Sequence, residues 1–174
     1  MTTTENTPTL TGERADILEA LTQQRYFLRH TTQGLTDAQA AARTTVSELC
    51  LGGLIKHVAL VERAWVDFIL EGTSAMEADQ NSSTEHALGF RMLPGETLAG
   101  LLAEYEEVAR RTDEVLATLP DLDVSHALPE APWFEPGARR SARRVFLGIL
   151  AETAQHAGHA DILREAIDGQ KSMG

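Results

Sequence analysis

Four long stretches of the chain carry apolar residues at intervals of three and four positions, which is the period of an amphipathic helix. The pattern predicts long helices over residues 14–33, 51–70, 94–119 and 141–168. No stretch alternates apolar and polar residues in the way that indicates a strand. Because amphipathic helices bury their apolar sides against one another, the sequence predicts an all-α protein. We expect a four-helix bundle with a short extra helix and long loops.

Residues with capping preferences stand at several predicted helix ends. Thr36 and Gln39 have the spacing of a capping box, which predicts the start of the short extra helix. Pro94 suits the first turn of the third long helix, where its missing N–H would have no partner. Ser141 is predicted to cap the fourth long helix, and Gly169 to end it. The core side of that helix is predicted to comprise Val145, Phe146, Ile149, Leu150, Ile162, Leu163 and Ile167.

One domain accounts for most of the chain. We predict a flexible N-terminal tail over residues 1–10 and a single helical domain over residues 11–174, with Thr11 as the cap of the first helix. Residues 73–93 are polar and lack any period, so they predict a long mobile loop. His86 lies in that loop.

Charge and composition exclude several classes of partner. The chain has 174 residues and is 43 % hydrophobic, which is typical of a globular protein. Its 26 acidic and 15 basic residues give a net charge of −11, and such a surface repels nucleic-acid backbones and anionic membranes. The chain shows no signal-peptide pattern and no apolar run near the ~20 residues that span a bilayer. We therefore expect a cytoplasmic protein that binds neither nucleic acid nor a membrane.

Cys50 is the only cysteine, so no internal disulfide can form. It stands between Leu49 and Leu51, and this apolar setting favours a buried, unreactive thiol over a reactive one.

The fourth long helix carries a candidate half of a metal site. Glu152 and His156 are four positions apart, so their side chains project from the same face about one turn apart. A carboxylate and an imidazole placed in this way can bind one divalent ion. The same spacing also arises by chance, and the two side chains can simply bond to each other.

His57 is the best candidate for a third ligand, because it lies on a different long helix beside a buried stripe. Metal sites in helical bundles are built from side chains on facing helices. The set of His57, Glu152 and His156 would supply two imidazoles and a carboxylate, and would leave open positions on Zn²⁺ or another first-row divalent ion. The alternative for His57 is a hydrogen-bonded core residue.

Two further residues of the same helix stand close to the candidate ligands. His159 follows His156 by three positions, and it could bind the metal directly, orient a ligand by a hydrogen bond or donate a proton. We favour the orienting role. Asp161 is expected to hydrogen-bond a histidine or to pair with Arg164.

A pocket is predicted at the start of the fourth helix. Trp133 lies in a proline-rich segment that leads into this helix, where it either plugs an edge of the core or walls a pocket. Arg139, Arg140, Arg143 and Arg144 form a basic cluster that either receives an anionic reactant or neutralises acidic loops nearby. We predict that Trp133, Arg140 and Arg144 contribute to binding of the small-molecule reactants.

Two motifs carry a resemblance to a known family. LGGLIKHVALVERAW at residues 51–65 and ETAQHAGHADILREAIDG at residues 152–169 resemble the DinB/YfiT-like metalloprotein superfamily, and most closely its actinobacterial branch with a His-Glu-His site. The resemblance extends over residues 11–169. It implies a four-helix bundle that holds one divalent metal, most often zinc or nickel.

The resemblance also implies which residues bind the metal. The family's ligand on the second long helix matches His57, and its two ligands on the last helix match Glu152 and His156. Many members carry histidine at the position of Glu152, so this glutamate places the chain with the branch that includes mycothiol-dependent maleylpyruvate isomerase. Gln155 departs from the arginine that many members have there.

Several members of that family are S-transferases, so the resemblance implies thiol chemistry with mycothiol as the co-substrate. A metal with an open position holds a thiol as its thiolate, well below the ordinary cysteine pKa of about 8.5. The thiolate can then attack an electrophilic carbon. We therefore predict a metal-dependent thiol S-transferase that acts in detoxification or stress.

Other functions remain open at the level of sequence. A metal-bound water could make the protein a hydrolase, and the same centre could support a thiol-dependent isomerase. A metal-binding stress protein without turnover is the alternative from a different class. The sequence is compatible with a monomer or a homodimer.

Overall fold

The computed structural model describes residues 10–77 and 88–172, and these residues form six helices and two short strands. The elements are α1 (Glu13–His30), α2 (Asp37–Ala41), α3 (Leu51–Glu71), α4 (Thr73–Glu77), β1 (Ser125–Ala127), β2 (Arg139–Ser141), and the two long helices α5 (Leu98–Thr118) and α6 (Ala142–Asp168). Within the described ranges, no helix is both long and apolar enough to span a membrane. Most of the predicted tail, at residues 1–9, lies outside these ranges, as does His86.

The four long helices each pack against two of the others. Helix α1 contacts α6 and α5, and α3 contacts α5 and α6, so the neighbours form the closed cycle of a four-helix bundle. Their buried apolar residues form two clusters, one at each end of the bundle. The prediction of an all-α bundle is confirmed.

A polar layer separates the two apolar clusters. Arg25 of α1 is 2 % exposed and donates hydrogen bonds to the fully buried Glu62 of α3 and, over 2.7 Å, to Asp113 of α5. Burial lowers the pKa of Arg25, but the charges of Glu62 and Asp113 outweigh this and raise it. The layer therefore ties three helices together through a buried arginine and its two acidic partners.

The helix ends predicted from capping residues are confirmed for α2 and α6. The Thr36 side chain and Gln39 form the expected capping box at α2. Helix α6 has the predicted bounds, with the Ser141 side chain accepting a hydrogen bond from the Arg144 N–H and Gly169 in a left-handed conformation.

Two predicted helix starts are wrong. Helix α5 begins at Leu98 and not at Pro94, because the Thr97 side chain accepts a hydrogen bond from the Gly100 N–H and caps the helix there. Helix α1 is preceded by Gly12 and not by Thr11, and no side chain caps it. Gly12 has a φ of 59°, which glycine adopts without strain.

Two regions predicted to be irregular contain short regular elements. Residues Thr73–Glu77 form α4 within the predicted mobile loop. Strands β1 and β2 pair antiparallel, with His126 opposite Arg140. Each strand has only three residues, which is too short for an alternating pattern to be visible in the sequence.

Two glycines allow a second segment to lie against the start of α3. A Cβ on Gly53 would lie 1.9 Å from the carbonyl oxygen of Phe90, and one on Gly52 would lie 2.8 Å from the Met92 sulfur. Only glycine permits so close an approach at residue 53. Cys50, just before α3, is 3 % exposed and unpaired, as predicted for a structural thiol.

Candidate metal centre

Side chains from α3 and α6 converge at one point inside the bundle. His57 Nε2 and His156 Nε2 each lie 3.1 Å from the same oxygen, Oε1 of Glu152. One ligand atom from each of these three residues falls within 4.8 Å of the others. His57 and His156 are 5 % and 7 % exposed, whereas the Glu152 side chain is 32 % exposed. The group is thus enclosed on the histidine side and open beside the carboxylate.

Helix geometry and an aromatic wall set the positions of the imidazoles. Glu152 and His156 are one turn apart on α6, so they point to the same side of that helix. The His57 and His156 rings meet edge to face, with centroids 4.9 Å apart. Phe90 stacks on the His57 ring with centroids 3.8 Å apart and planes inclined by 21°. These contacts limit the rotation of both imidazoles.

The carboxylate of Glu152 is ionised at neutral pH. Hydrogen bonds from His156 and then from His57 lower its pKa far below the usual range, against the opposing effect of burial. An ionised carboxylate oxygen and two imidazole nitrogens are ligands that suit zinc and other first-row divalent ions. Because the three donor atoms already face one another, the residues fit such an ion.

His159 lies beside the three converging residues rather than among them. Its Nδ1 is 3.3 Å from Nδ1 of His156, the ring nitrogen that faces away from Glu152. One of these nitrogens donates and the other accepts, so the contact restrains the orientation of the His156 ring.

The expectations for Asp161 are wrong. Its Oδ1 accepts a hydrogen bond from the Ser172 N–H, and Arg164 instead pairs with Asp168 and donates to the Thr31 carbonyl. Asp161 therefore holds the segment after α6, and it takes no part in the candidate centre.

The basic cluster at the start of α6 divides into paired and unpaired residues. Arg143 forms ion pairs with Glu13 and Asp123. Of its two predicted roles, it therefore neutralises nearby acidic groups. The Arg140 guanidinium lies 4.4 Å from the centre of the Trp65 ring, and Arg144 is exposed.

Trp133 does not plug an edge of the core. Its side chain is 75 % exposed and meets Phe134 edge to face at 6.2 Å. Phe134 in turn lies 5.6 Å from the Arg140 guanidinium. Trp133 therefore stands at the outer rim of the aromatic group that surrounds Arg140.

Sequence reasoning missed Phe90 and Trp65, which contact His57 and Arg140. The paired glycines at residues 52 and 53 do signal that another element approaches α3, but they do not identify Phe90. No feature of the sequence alone connects Trp65 with an arginine 75 positions later, because the contact depends on the packing of the helices.

The fold and the converging side chains define an all-α bundle with a candidate centre of two histidines and one carboxylate. The chain belongs to the mycothiol-S-transferase family, whose model matches residues 16–169, and the predicted DinB-like relationship is thereby confirmed. A solved structure of a conserved protein from Enterococcus faecalis is similar in fold, with a TM-score of 0.68 at 12 % identity over 92 % of this chain and 100 % of that one. Among the curated proteins, none matches this chain.

Proposed function

We propose that this protein is a divalent-metal-dependent S-transferase that joins mycothiol to an electrophile in detoxification or stress, in the cytoplasm. Membership of the mycothiol-S-transferase family supports the thiol transfer. The observation that carries the metal dependence is the convergence of His57 Nε2 and His156 Nε2 on one oxygen of Glu152, each at 3.1 Å. An external thiol is needed because the only cysteine, Cys50, is 3 % exposed and so cannot serve as the nucleophile itself.

Three residues would hold the ion, most suitably Zn²⁺, with nickel or another first-row ion as alternatives. His57 and His156 would contribute neutral imidazole nitrogens, and Glu152 would contribute one negative charge. When bound, the ion supplies Lewis-acid chemistry that lowers the pKa of a thiol. The exposed side of Glu152 is the direction from which the thiol would enter.

His159 is a positioning residue in this proposal. Its hydrogen bond to Nδ1 of His156 keeps the opposite nitrogen, Nε2, directed at Glu152. Partners of this kind hold metal-binding histidines in the correct tautomer.

The chemistry requires one new bond to carbon. The thiol sulfur loses its proton and forms an S–C bond to the electrophile. The displaced electron pair leaves with a leaving group, or it moves to a neighbouring atom that then takes up a proton. We place Arg140 and Arg144 beside the entrance as binding residues for the reactants, with Trp133 at its rim.

A combined metal and conjugation assay tests the proposal. We expect the purified protein to hold one divalent ion per chain, and His57→Ala and His156→Ala to lose it. We expect the intact protein to accelerate conjugation of a model electrophile with mycothiol more than with cysteine or glutathione. Full metal occupancy in both variants would overturn the assigned ligands.

The same assay separates the alternatives. Ester hydrolysis without any dependence on a thiol would replace the transferase with a metal hydrolase. Rearrangement of the electrophile with return of the thiol would indicate an isomerase. Bound metal with no turnover in any of these assays would favour a metal-binding stress protein.

A further inference from the structure

A surface path leads from the candidate metal centre to the start of α6. Helices α3 and α6 run antiparallel. His57, near the start of α3, contacts Glu152 within α6. Trp65, nearer the end of α3, contacts Arg140, which lies just before α6. Arg144, Gly148 and Glu152 follow one another at steps of four, so they share one face of α6. Each step advances by about 6 Å along the helix.

Arg140 and Arg144 form a small positive site in a strongly acidic protein. The neighbouring Arg143 is neutralised by Glu13 and Asp123. Within the described residues, neither Arg140 nor Arg144 forms an ion pair with an acidic side chain. Burial, and then the charge of Arg144, lower the pKa of Arg140. In the part of the chain that the structure describes, both charges therefore remain available to a ligand, although the chain as a whole has a net charge of −11.

Arg140 is held in place by aromatic side chains. Its guanidinium lies 4.4 Å from the Trp65 ring centre and 5.6 Å from that of Phe134. Such stacking fixes the plane of a guanidinium while leaving its N–H groups able to donate.

Arg144 is directed along α6 towards the candidate metal centre. Its Nη1 lies over Gly148, and a Cβ at that position would come within 3.3 Å of it. Gly148 thus gives the guanidinium room to lie on the helix surface, one turn before Glu152. The charge stands beside the path by which a reactant would reach the open side of Glu152.

The thiol co-substrate does not account for these two charges. Mycothiol presents sugar and inositol hydroxyls and amide groups, and it has no carboxylate. A guanidinium is a common partner of a carboxylate, which it binds through two parallel hydrogen bonds. The anion is therefore expected on the other reactant.

We propose that Arg144, supported by Arg140, binds a carboxylate of the electrophile, so that the natural substrates are small electrophilic acids. The inference rests on the proposed S-transferase function. Because the Arg144 guanidinium lies over Gly148, about one helical turn before Glu152, the carboxylate and the carbon that accepts sulfur are separated by only a few bonds. The positive pair would hold that carbon beside the open side of the centre.

Two conjugates of mycothiol that differ by one charge test the proposal. The S-carboxymethyl and S-carbamoylmethyl thioethers have nearly the same size, and only the first carries a carboxylate. Their dissociation constants are measured by calorimetry on the metal-loaded protein, on Arg144→Gln and on Arg144→Lys. Arg143→Gln is the matched control, because it removes the same charge from the adjacent position but its arginine is bound to Glu13 and Asp123.

We expect the wild-type protein and Arg143→Gln to bind the carboxymethyl thioether at least about tenfold more tightly than the carbamoylmethyl one. Arg144→Gln should lose this preference, and Arg144→Lys should keep part of it, since it retains the charge but not the planar fork. Equal binding of the two thioethers to the wild type, no binding of either, or an unchanged preference in Arg144→Gln would each overturn the proposal.

Conjugation rates separate this failure from failure of the transferase function. If the wild-type protein accelerates the reaction of mycothiol with iodoacetamide but binds the two thioethers equally, the carboxylate site is wrong and the transferase stands. If the carboxylate preference is present but no thiol accelerates loss of either iodoacetamide or iodoacetate, the anion site stands and the transferase function is wrong.

Discussion

Phe90 lies flat against the imidazole of His57, with ring centroids 3.8 Å apart. The residue comes from the segment that precedes α5, and it closes one side of the candidate metal centre. Because this ring restricts the orientation of His57, we expect Phe90→Leu to weaken metal binding by about tenfold, the lower end of the range for residues that orient ligands. Competition with a chelator measures the change. Phe134→Leu, which removes an aromatic ring near Arg140, should leave metal affinity unaltered, and an equal loss in both variants would contradict a specific role for Phe90.

Gly53→Ala should destabilise the protein and also weaken metal binding. The added Cβ would lie 1.9 Å from the Phe90 carbonyl oxygen, which is main chain and cannot rotate away. We expect a loss of about 1–3 kcal/mol in the free energy of unfolding, typical of overpacking, measured by urea denaturation. Gly158→Ala on α6 is the control, because a Cβ there meets nothing within 4 Å. That control should be neutral or stabilising, by up to about 1 kcal/mol.

The ionised Glu152 makes stability depend on pH in the metal-free protein. Hydrogen bonds from His156 and His57 lower its pKa in the folded state, so the carboxylate stabilises the fold above its ordinary pKa of about 4.3. This contribution is lost as the pH falls further towards the lowered folded-state pKa. The difference in unfolding free energy between wild type and Glu152→Gln should therefore be largest near neutral pH and shrink below about pH 4. A difference that grew on acidification would show that the carboxylate is not held in its ionised form.

The buried pair of Arg25 and Glu62 should be far more sensitive to mutation than the exposed pairs. Either Arg25→Met or Glu62→Gln leaves a buried partner without its counter-charge, and we expect a loss of about 3–5 kcal/mol in the free energy of unfolding. The double variant Arg25→Met/Glu62→Leu should recover part of this loss, because it removes both charges. Arg110→Met, which breaks exposed pairs on α5, should change stability by no more than about 1 kcal/mol. A similar loss in the exposed and buried variants would argue against a structural role for the polar layer.

Helix α6 was predictable from end to end because both of its signals are local. Ser141 and Gly169 are adjacent to the elements they terminate, and their effect needs no distant partner. The spacing of Glu152 and His156 places them on one face of any helix that contains them. Two of the three candidate metal ligands, Glu152 and His156, can therefore be predicted from one short stretch of sequence.

The apolar periodicity of a helix does not show how much of its apolar side the neighbouring helices cover. The apolar stripe of α6 predicts Ile162 in the core beside Leu163, yet Ile162 is 61 % exposed whereas Leu163 is 3 % exposed. The prediction for Ile162 was wrong because the apolar side of α6 is wider than the surface that the other helices cover. Pro94 misleads for a different reason, because the Thr97 side chain caps α5 three positions later.

Contacts between distant segments escaped prediction. Phe90 comes from a stretch without any period, and its place on His57 depends on the close approach that Gly53 allows. The stacking of Arg140 on Trp65 likewise requires the β1–β2 pair to bring Arg140 to α3. Contacts of this kind depend on how distant segments pack in the folded chain, so no local sequence pattern predicts them.

The burial of Cys50 has a consequence for a protein that handles electrophiles. An accessible cysteine would compete with the co-substrate and would be alkylated during turnover, which would inactivate the enzyme progressively. Cys50 is 3 % exposed, and the segment that carries Phe90 passes over it with the Phe90 carbonyl 3.9 Å from its sulfur. The folded chain thus shields its only thiol from the electrophiles that the protein is proposed to consume. Cys50 becomes open to alkylation only when the chain unfolds.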